Sequence, residues 1–172
     1  MKKVLALVLA LVLVLCAIPA LAEGELYLGL GISTSIASSK DATADADGTA
    51  QVDSSIVSVV VDKDGVIQAC AIDCAQTKVK YSAAGVITSD PTAEIKSKME
   101  LGPDYNMLPA SPIGKEIDEQ LTALCDWLVG KTVDDLKAAY EGKDETLLAV
   151  CTIKLQGYIT ALEKAVANAL AE

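Results

Sequence analysis

The stretch that decides the fold is Ser54–Cys74, SSIVSVVVDKDGVIQACAIDC. Val and Ile are dense through Ser55–Val61, and β-branched side chains suit a strand buried on at least one face. Asp62-Lys63-Asp64-Gly65 breaks the run with turn chemistry, Gly65 taking the position that needs positive φ. Val66–Cys74 then reads as the returning strand. An antiparallel hairpin is therefore expected, with Ala50–Val61 as its first arm.

Outward toward the N-terminus, Ser33–Gly48 is Ser, Thr, Ala, Asp and Lys and reads as a long loop, or as two loops around a weak strand. Glu25–Ile32 (ELYLGLGI) is apolar and Gly-punctuated, a short first strand. Outward toward the C-terminus, Lys78–Tyr81 and Gly85–Thr88 bracket Ser82-Ala83-Ala84, so a second hairpin is expected. The period then changes. Asp90 can cap a helix that has Pro91 at its first position and Gly102 at its end. Gly102–Pro112, with three prolines, is loop. Ile113, Ile117, Leu121, Leu124 and Leu128 recur at helical spacing and predict a helix over Ile113–Leu128 that Gly130 ends. Thr132 and Asp135 form a capping box that opens Val133–Tyr140. Leu147–Ile153 fits strand or helix, and Leu155–Leu170 reads as a last amphipathic helix. Strands early and helices late predict an α+β fold, with an antiparallel sheet of N-terminal hairpins packed against C-terminal helices.

Composition narrows the chemistry. The chain has 172 residues and a formal charge of −10, with no His and no Phe, and all 14 basic residues are Lys. Ser-His-Asp and Cys-His catalysis, His-ligated zinc and arginine clamps on phosphate are excluded. So acidic a chain is not expected to bind nucleic acid, which requires concentrated positive charge.

At the N-terminus, Lys2 and Lys3 precede a Leu/Val/Ala run over Val4–Ile18, and Ala20-Leu21-Ala22 supplies the small residues of a cleavage site. Residues 1–22 read as a secretory signal peptide, cleaved after Ala22. The run is too short for a spanning helix. Cys16 ends it, but Leu15 occupies the position where a lipobox has Gly, Ala or Ser, so lipoprotein anchoring is not expected. Residues 23–172 are then one extracytoplasmic domain, two charges more negative than the whole chain, without a membrane span.

Four cysteines remain: Cys70, Cys74, Cys125 and Cys151. In an exported protein they read as buried thiols, as disulfides or as metal ligands. Cys70 and Cys74 lie about 13 Å apart on an extended strand, too far for a bridge. A bridge from either to Cys125 or Cys151 stays open. Asp41, Asp45 and Asp47 alternate like a calcium loop but lack a closing Glu, and read as a solvated loop. Glu116/Glu119 and Asp134/Asp135 fall in helix first turns, where they favour the macrodipole rather than forming an acid/base pair. Trp127 borders the apolar stripe and reads as a core anchor rather than a ligand-stacking ring.

Three motifs recur in order: Ser111-Pro112-Ile113-Gly114-Lys115-Glu116-Ile117, Val129-Gly130-Lys131-Thr132-Val133-Asp134-Asp135-Leu136-Lys137, and Cys151-Thr152-Ile153 before a closing helix. With the N-terminal hairpin they resemble the extracytoplasmic FMN-binding domain of Rnf/Nqr-type electron-transport subunits and secreted flavoprotein relatives, over roughly Gly48–Leu170. In that family a Thr before the closing helix can be esterified by the FMN phosphate. The resemblance implies that Thr152, with Cys151 and Lys115, would lie at the phosphate and Ile113-Gly114 at the ring. Ala149, Val150 and Cys151 replace the family's Ser-Gly-Ala, Lys154 replaces a Ser or Thr, and Pro112 replaces a Gly. Val150 cannot supply the backbone freedom of Gly, so any FMN is expected to be non-covalent. Two functions follow as expectations: an extracellular, non-enzymatic binding module that has lost the flavin, or an electron-transfer module holding FMN for a redox partner protein.

Overall fold

The computed structural model describes residues 24–171. Residues 1–22, read above as a signal peptide, lie outside it with Cys16. Three strands, β1 (Tyr27–Ser35), β2 (Gly48–Val61) and β3 (Ile67–Tyr81), form one antiparallel sheet in the order β1-β2-β3. Five helices follow: α1 (Lys98–Leu101), α2 (Ile117–Leu128), α3 (Val133–Gly142), α4 (Glu145–Leu148) and α5 (Gln156–Ala169). The fold is α+β, with the helices on one face of the sheet.

The hairpin forms at Asp62-Lys63-Asp64-Gly65, with Gly65 at φ 77° and the Asp62 carboxylate accepting from the Asp64 and Val66 amides. Beyond it Val60 faces Ala69 but Val61 faces Ile67, so Gln68 is a bulge residue. The extra residue changes the parity of β3. Cys70, Ile72 and Cys74 thereby lie opposite Val59, Val57 and Ser55, on the side that meets the helices.

Helix α2 buries Ile117, Leu121, Leu124 and Leu128. Helix α5 buries Tyr158, Ile159, Ala161, Leu162, Ala165 and Ala169. Each fully buried Leu contributes about 1.5–3 kcal/mol. Helix α5 lies unusually close to β1, because Gly29 and Gly31 present no side chain to it. A Cβ on Gly29 would sit 1.9 Å from the Ala165 carbonyl oxygen, and one on Gly31 1.9 Å from that of Ala161. The same helix covers part of the free edge of β1: Lys164 Nζ donates to the Ile32 carbonyl and Asn168 Nδ2 to that of Leu30. Such caps obstruct pairing with another strand. The opposite face of β1 carries exposed Leu28, Leu30 and Ile32. Among the described residues, no helix is long and apolar enough to cross a membrane.

Four expectations are corrected. The helix expected from Pro91 to Leu101 shrinks to Lys98–Leu101, opened by a capping box between Ser97 and Glu100. Asp90 instead bonds the amide and hydroxyl of Thr92, and Ile95 is exposed, so residues 91–96 have no apolar face to bury. The helix expected from Ile113 begins at Ile117. Pro112, Ile113 and Gly114 form a turn, with Gly114 at φ 61°. The second hairpin turns at Ser82–Gly85 as expected, but its first arm, Lys78–Tyr81, is the end of β3 and its return is a single bridge, Tyr81 to Ile87. The loop after β1 is also shorter, since β1 extends to Ser35. Of Leu147–Ile153, where strand and helix were both open, only Leu147 and Leu148 are helical, in the single turn α4, and the rest is turn and loop. The Thr132/Asp135 capping box is present, opening α3.

Candidate functional site

The turn at Ser111–Lys115 and the segment Cys151–Thr152 are 36 or more positions apart, yet one side chain joins them. Gln120 is fully buried in the first turn of α2. Its Nε2 donates to Ser111 Oγ and to the Lys115 carbonyl, both at 3.1 Å. Its Oε1 accepts from the Thr152 amide at 2.8 Å and from the Thr152 hydroxyl at 3.3 Å. The amide thus satisfies buried polar groups on two elements at once, the condition under which burying it costs little.

Glu116, also buried, organises the loop before α2. Its carboxylate accepts from the Met107 and Leu108 amides at 2.8 and 3.0 Å. Glu119 closes the turn by accepting from the Glu116 amide. Both carboxylates are therefore occupied by backbone, in keeping with a structural role. Gly114 has no atom within 4 Å of where a Cβ would stand, so its positive φ, not a close approach, is what favours glycine there.

Sequence reasoning placed Ile113, Gly114, Lys115, Cys151 and Thr152 together. Through Gln120 the structure joins Lys115 to Thr152, with Gly114 and Cys151 adjacent in the chain. It missed Gln120 and Glu116. A signal for Gln120 existed: it lies three after Ile117 and four before Leu124, a polar residue on the apolar stripe.

Thr152 is half-buried at the edge of a cleft, with both its donors on Gln120. Neither its amide nor its hydroxyl proton is left for an anion. Helix α5 starts only at Gln156, after an Leu155 cap that has no side-chain hydrogen bond. The residues at Thr152 therefore do not fit the phosphate of FMN.

A cleft of about 410 Å³ opens beside this segment, between α3 and residues 147–154. Leu147, Leu148 and Ile153 supply apolar wall, Tyr140 an aromatic ring, and Lys143 and Lys154 cations. Both lysines are exposed, and neither belongs to an ion pair among the described residues. No carboxylate lines the cleft. Cys151 does, but burial pushes its thiol up to about 11, leaving it protonated and unreactive near neutral pH. The volume falls in the usual range of small-molecule sites, roughly 300–1,000 Å³.

A broader hollow of about 640 Å³ lies around Trp127. Its polar groups already serve one another. Trp127 Nε1 donates to Thr146, and Lys131 stands over the indole at 4.3 Å while donating to the Trp127 carbonyl. Asp135 and Asp144 are committed to helix caps. Trp127 is half-buried against the core. Among the described residues no group of three or more Cys, Asp or Glu is placed to hold a metal ion.

Comparison with known proteins returns no family profile, curated protein or solved structure that matches the chain.

Proposed function

We propose that the chain is an extracytoplasmic binding module, free of flavin, whose ligand is a small molecule with an apolar body and an acidic group. The observation that carries this reading is the pair of unpaired lysines, Lys143 and Lys154, on an apolar-walled cleft in a chain of formal charge −10. In a chain that is anionic overall, these two cations line one cleft. The apolar wall would bury the ligand body and the lysines would hold its charge. The absence of any carboxylate from the cleft lining and the raised Cys151 thiol favour binding over catalysis.

A second reading keeps FMN, bound without a covalent link for exchange with a redox partner protein. Its support is that Thr152 and Lys154, the positions the family resemblance points to, line the same cleft as Tyr140. Against it stands the commitment of both Thr152 donors to Gln120.

Calorimetric titration with octanoate, riboflavin and FMN separates the two. Octanoate binding that weakens about tenfold or more in Lys143→Gln or Lys154→Gln supports the first reading, a hydrogen bond to a charged group being worth about 1.5–3 kcal/mol. FMN binding with a visible flavin band after desalting, absent with riboflavin, establishes the second. No heat with any probe overturns both.

A further inference from the structure

Of the four cysteines described, two face each other. Cys70 lies on β3 and Cys125 on α2, and the two thiols are near enough for each to shift the other's ionisation. Both line one cleft of about 260 Å³, with Met99, Leu121, Thr122 and Asp126 around them. Both are half-buried, so a reagent in solution can reach them. The other two differ. Cys74 is buried against Tyr158, and Cys151 is buried beside the lysine cleft. The Gln68 bulge makes the pairing: it turns Cys70 toward α2, where a regular strand would turn Ala69.

We propose that Cys70 and Cys125 are a redox-active dithiol that closes to a disulfide, fastening α2 to β3. The reaction is thiol–disulfide exchange with a low-molecular-weight or protein disulfide. One thiolate attacks a sulfur of that disulfide, forming a mixed disulfide and releasing one thiolate. The second cysteine, deprotonated, then displaces the other. The protein loses two protons and two electrons, the electrons passing to the partner, which leaves as two thiols. The order of attack follows from the contact. The neighbouring Cys70 thiol and, less strongly, the Ile72 amide hold Cys125 below the usual thiol range. Cys70 is pushed well above it by the Cys125 neighbour and by partial burial. Cys125 is the attacking sulfur and Cys70 the resolving one.

The bond would cross-link residues 55 positions apart, and closing a loop of that length constrains the unfolded chain substantially. The compartment expected from residues 1–22 is one in which disulfides persist.

The test incubates reduced full-length chain with oxidised glutathione without denaturant, blocks remaining thiols with N-ethylmaleimide and reads the intact mass. The expected result is loss of two thiols and a rise in Tm of roughly 10 °C that dithiothreitol reverses. Trypsin should leave 64–78 joined to 116–131. The first peptide holds both Cys70 and Cys74, so tandem mass spectrometry of the wild-type cross-link must place it at Cys70. Cys74→Ser should keep the join. Cys70→Ser should lose it and trap glutathione on Cys125. Four results would overturn the proposal: no thiol lost, glutathione adducts without a cross-link, a cross-link assigned to Cys74, or one that forms only after unfolding.

Discussion

Gln120 holds the loop ahead of α2 to the segment ahead of α5 with one side chain. Leucine in its place would keep most of the volume and lose every hydrogen bond. The Thr152 amide and the Lys115 carbonyl, both at half-buried positions, would then be left without their partner. Each such group costs about 1–3 kcal/mol. Gln120→Leu should therefore lower the urea midpoint with little change in slope, because surface exposed on unfolding is unchanged. Hydrogen exchange at Thr152 gives the sharper readout. Its amide is expected to be among the protected ones in the wild type and to exchange much faster in the variant, while amides in the middle of β2 keep their order of protection. Equal protection at Thr152 in both proteins would mean that the bridge carries no energy. The same residue shows what was legible and what was not. Its polarity on the stripe Ile117–Leu121–Leu124 was visible from spacing alone. Its partners were not, because they lie on two segments whose approach depends on the whole helical layer. Glu116 was legible only as an acid near a helix start, and its grip on the Met107 and Leu108 amides required the loop to be seen.

Elements followed the sequence where the signal was local and failed where it was tertiary. The Asp62–Gly65 hairpin and the Thr132/Asp135 capping box are complete within a few residues, and both form as read. The Gln68 bulge has no local signature; alternation alone would have turned Ala69, Ala71 and Asp73 inward. Pro91 and Asp90 have the chemistry of a helix start, but the residues after them have nothing to bury, and burial rather than propensity sustains a short helix. Gly29 and Gly31 are the clearest case of an element fixed by another. In the sequence they look like punctuation in a weak strand, yet they are what lets α5 lie against the sheet. Gly→Ala at a compatible backbone position usually gains about 0.4–1 kcal/mol. Here the added carbon meets backbone oxygen at 1.9 Å, which no side-chain rotation relieves. Overpacking of this kind costs about 1–3 kcal/mol, so the sign reverses. Gly29→Ala and Gly31→Ala should both lower Tm, whereas Gly24→Ala, with nothing within 4 Å, should leave it unchanged. Stabilisation by either core-facing substitution would show that α5 does not sit where these glycines place it.

At the scale of the whole molecule, charge sets how stability responds to acid. Two opposing terms act. With 24 acidic residues against 14 lysines, the folded chain repels itself near neutral pH, and partial protonation relieves this. Against it, specific carboxylates are held below their ordinary range by folded geometry. Backbone and side-chain hydrogen bonds from Thr132 lower Asp135; the Thr146 hydroxyl and the Leu147 and Thr146 amides lower Asp144. At Asp53 burial pushes upward, but the Gln76 and Gln51 amides prevail and the net shift is down. A group whose folded pKa lies below its unfolded value stabilises the protein above the unfolded value, about 4 for Asp, and that contribution is lost as pH falls through the folded one. Tm should thus rise or stay level as pH drops from 7 toward about 5, then fall below about 4. Added salt should raise Tm at pH 7 more than at pH 5, because only the repulsive term is long-ranged enough to be screened strongly. Replacing Asp135 and Asp144 together by Asn separates the terms. The variant should melt lower than the wild type at pH 7, and the two curves should converge as pH falls through the lowered folded-state range of the two wild-type carboxyls. Curves that stay parallel through the acid range would place the acid sensitivity in the net charge instead of in the helix caps.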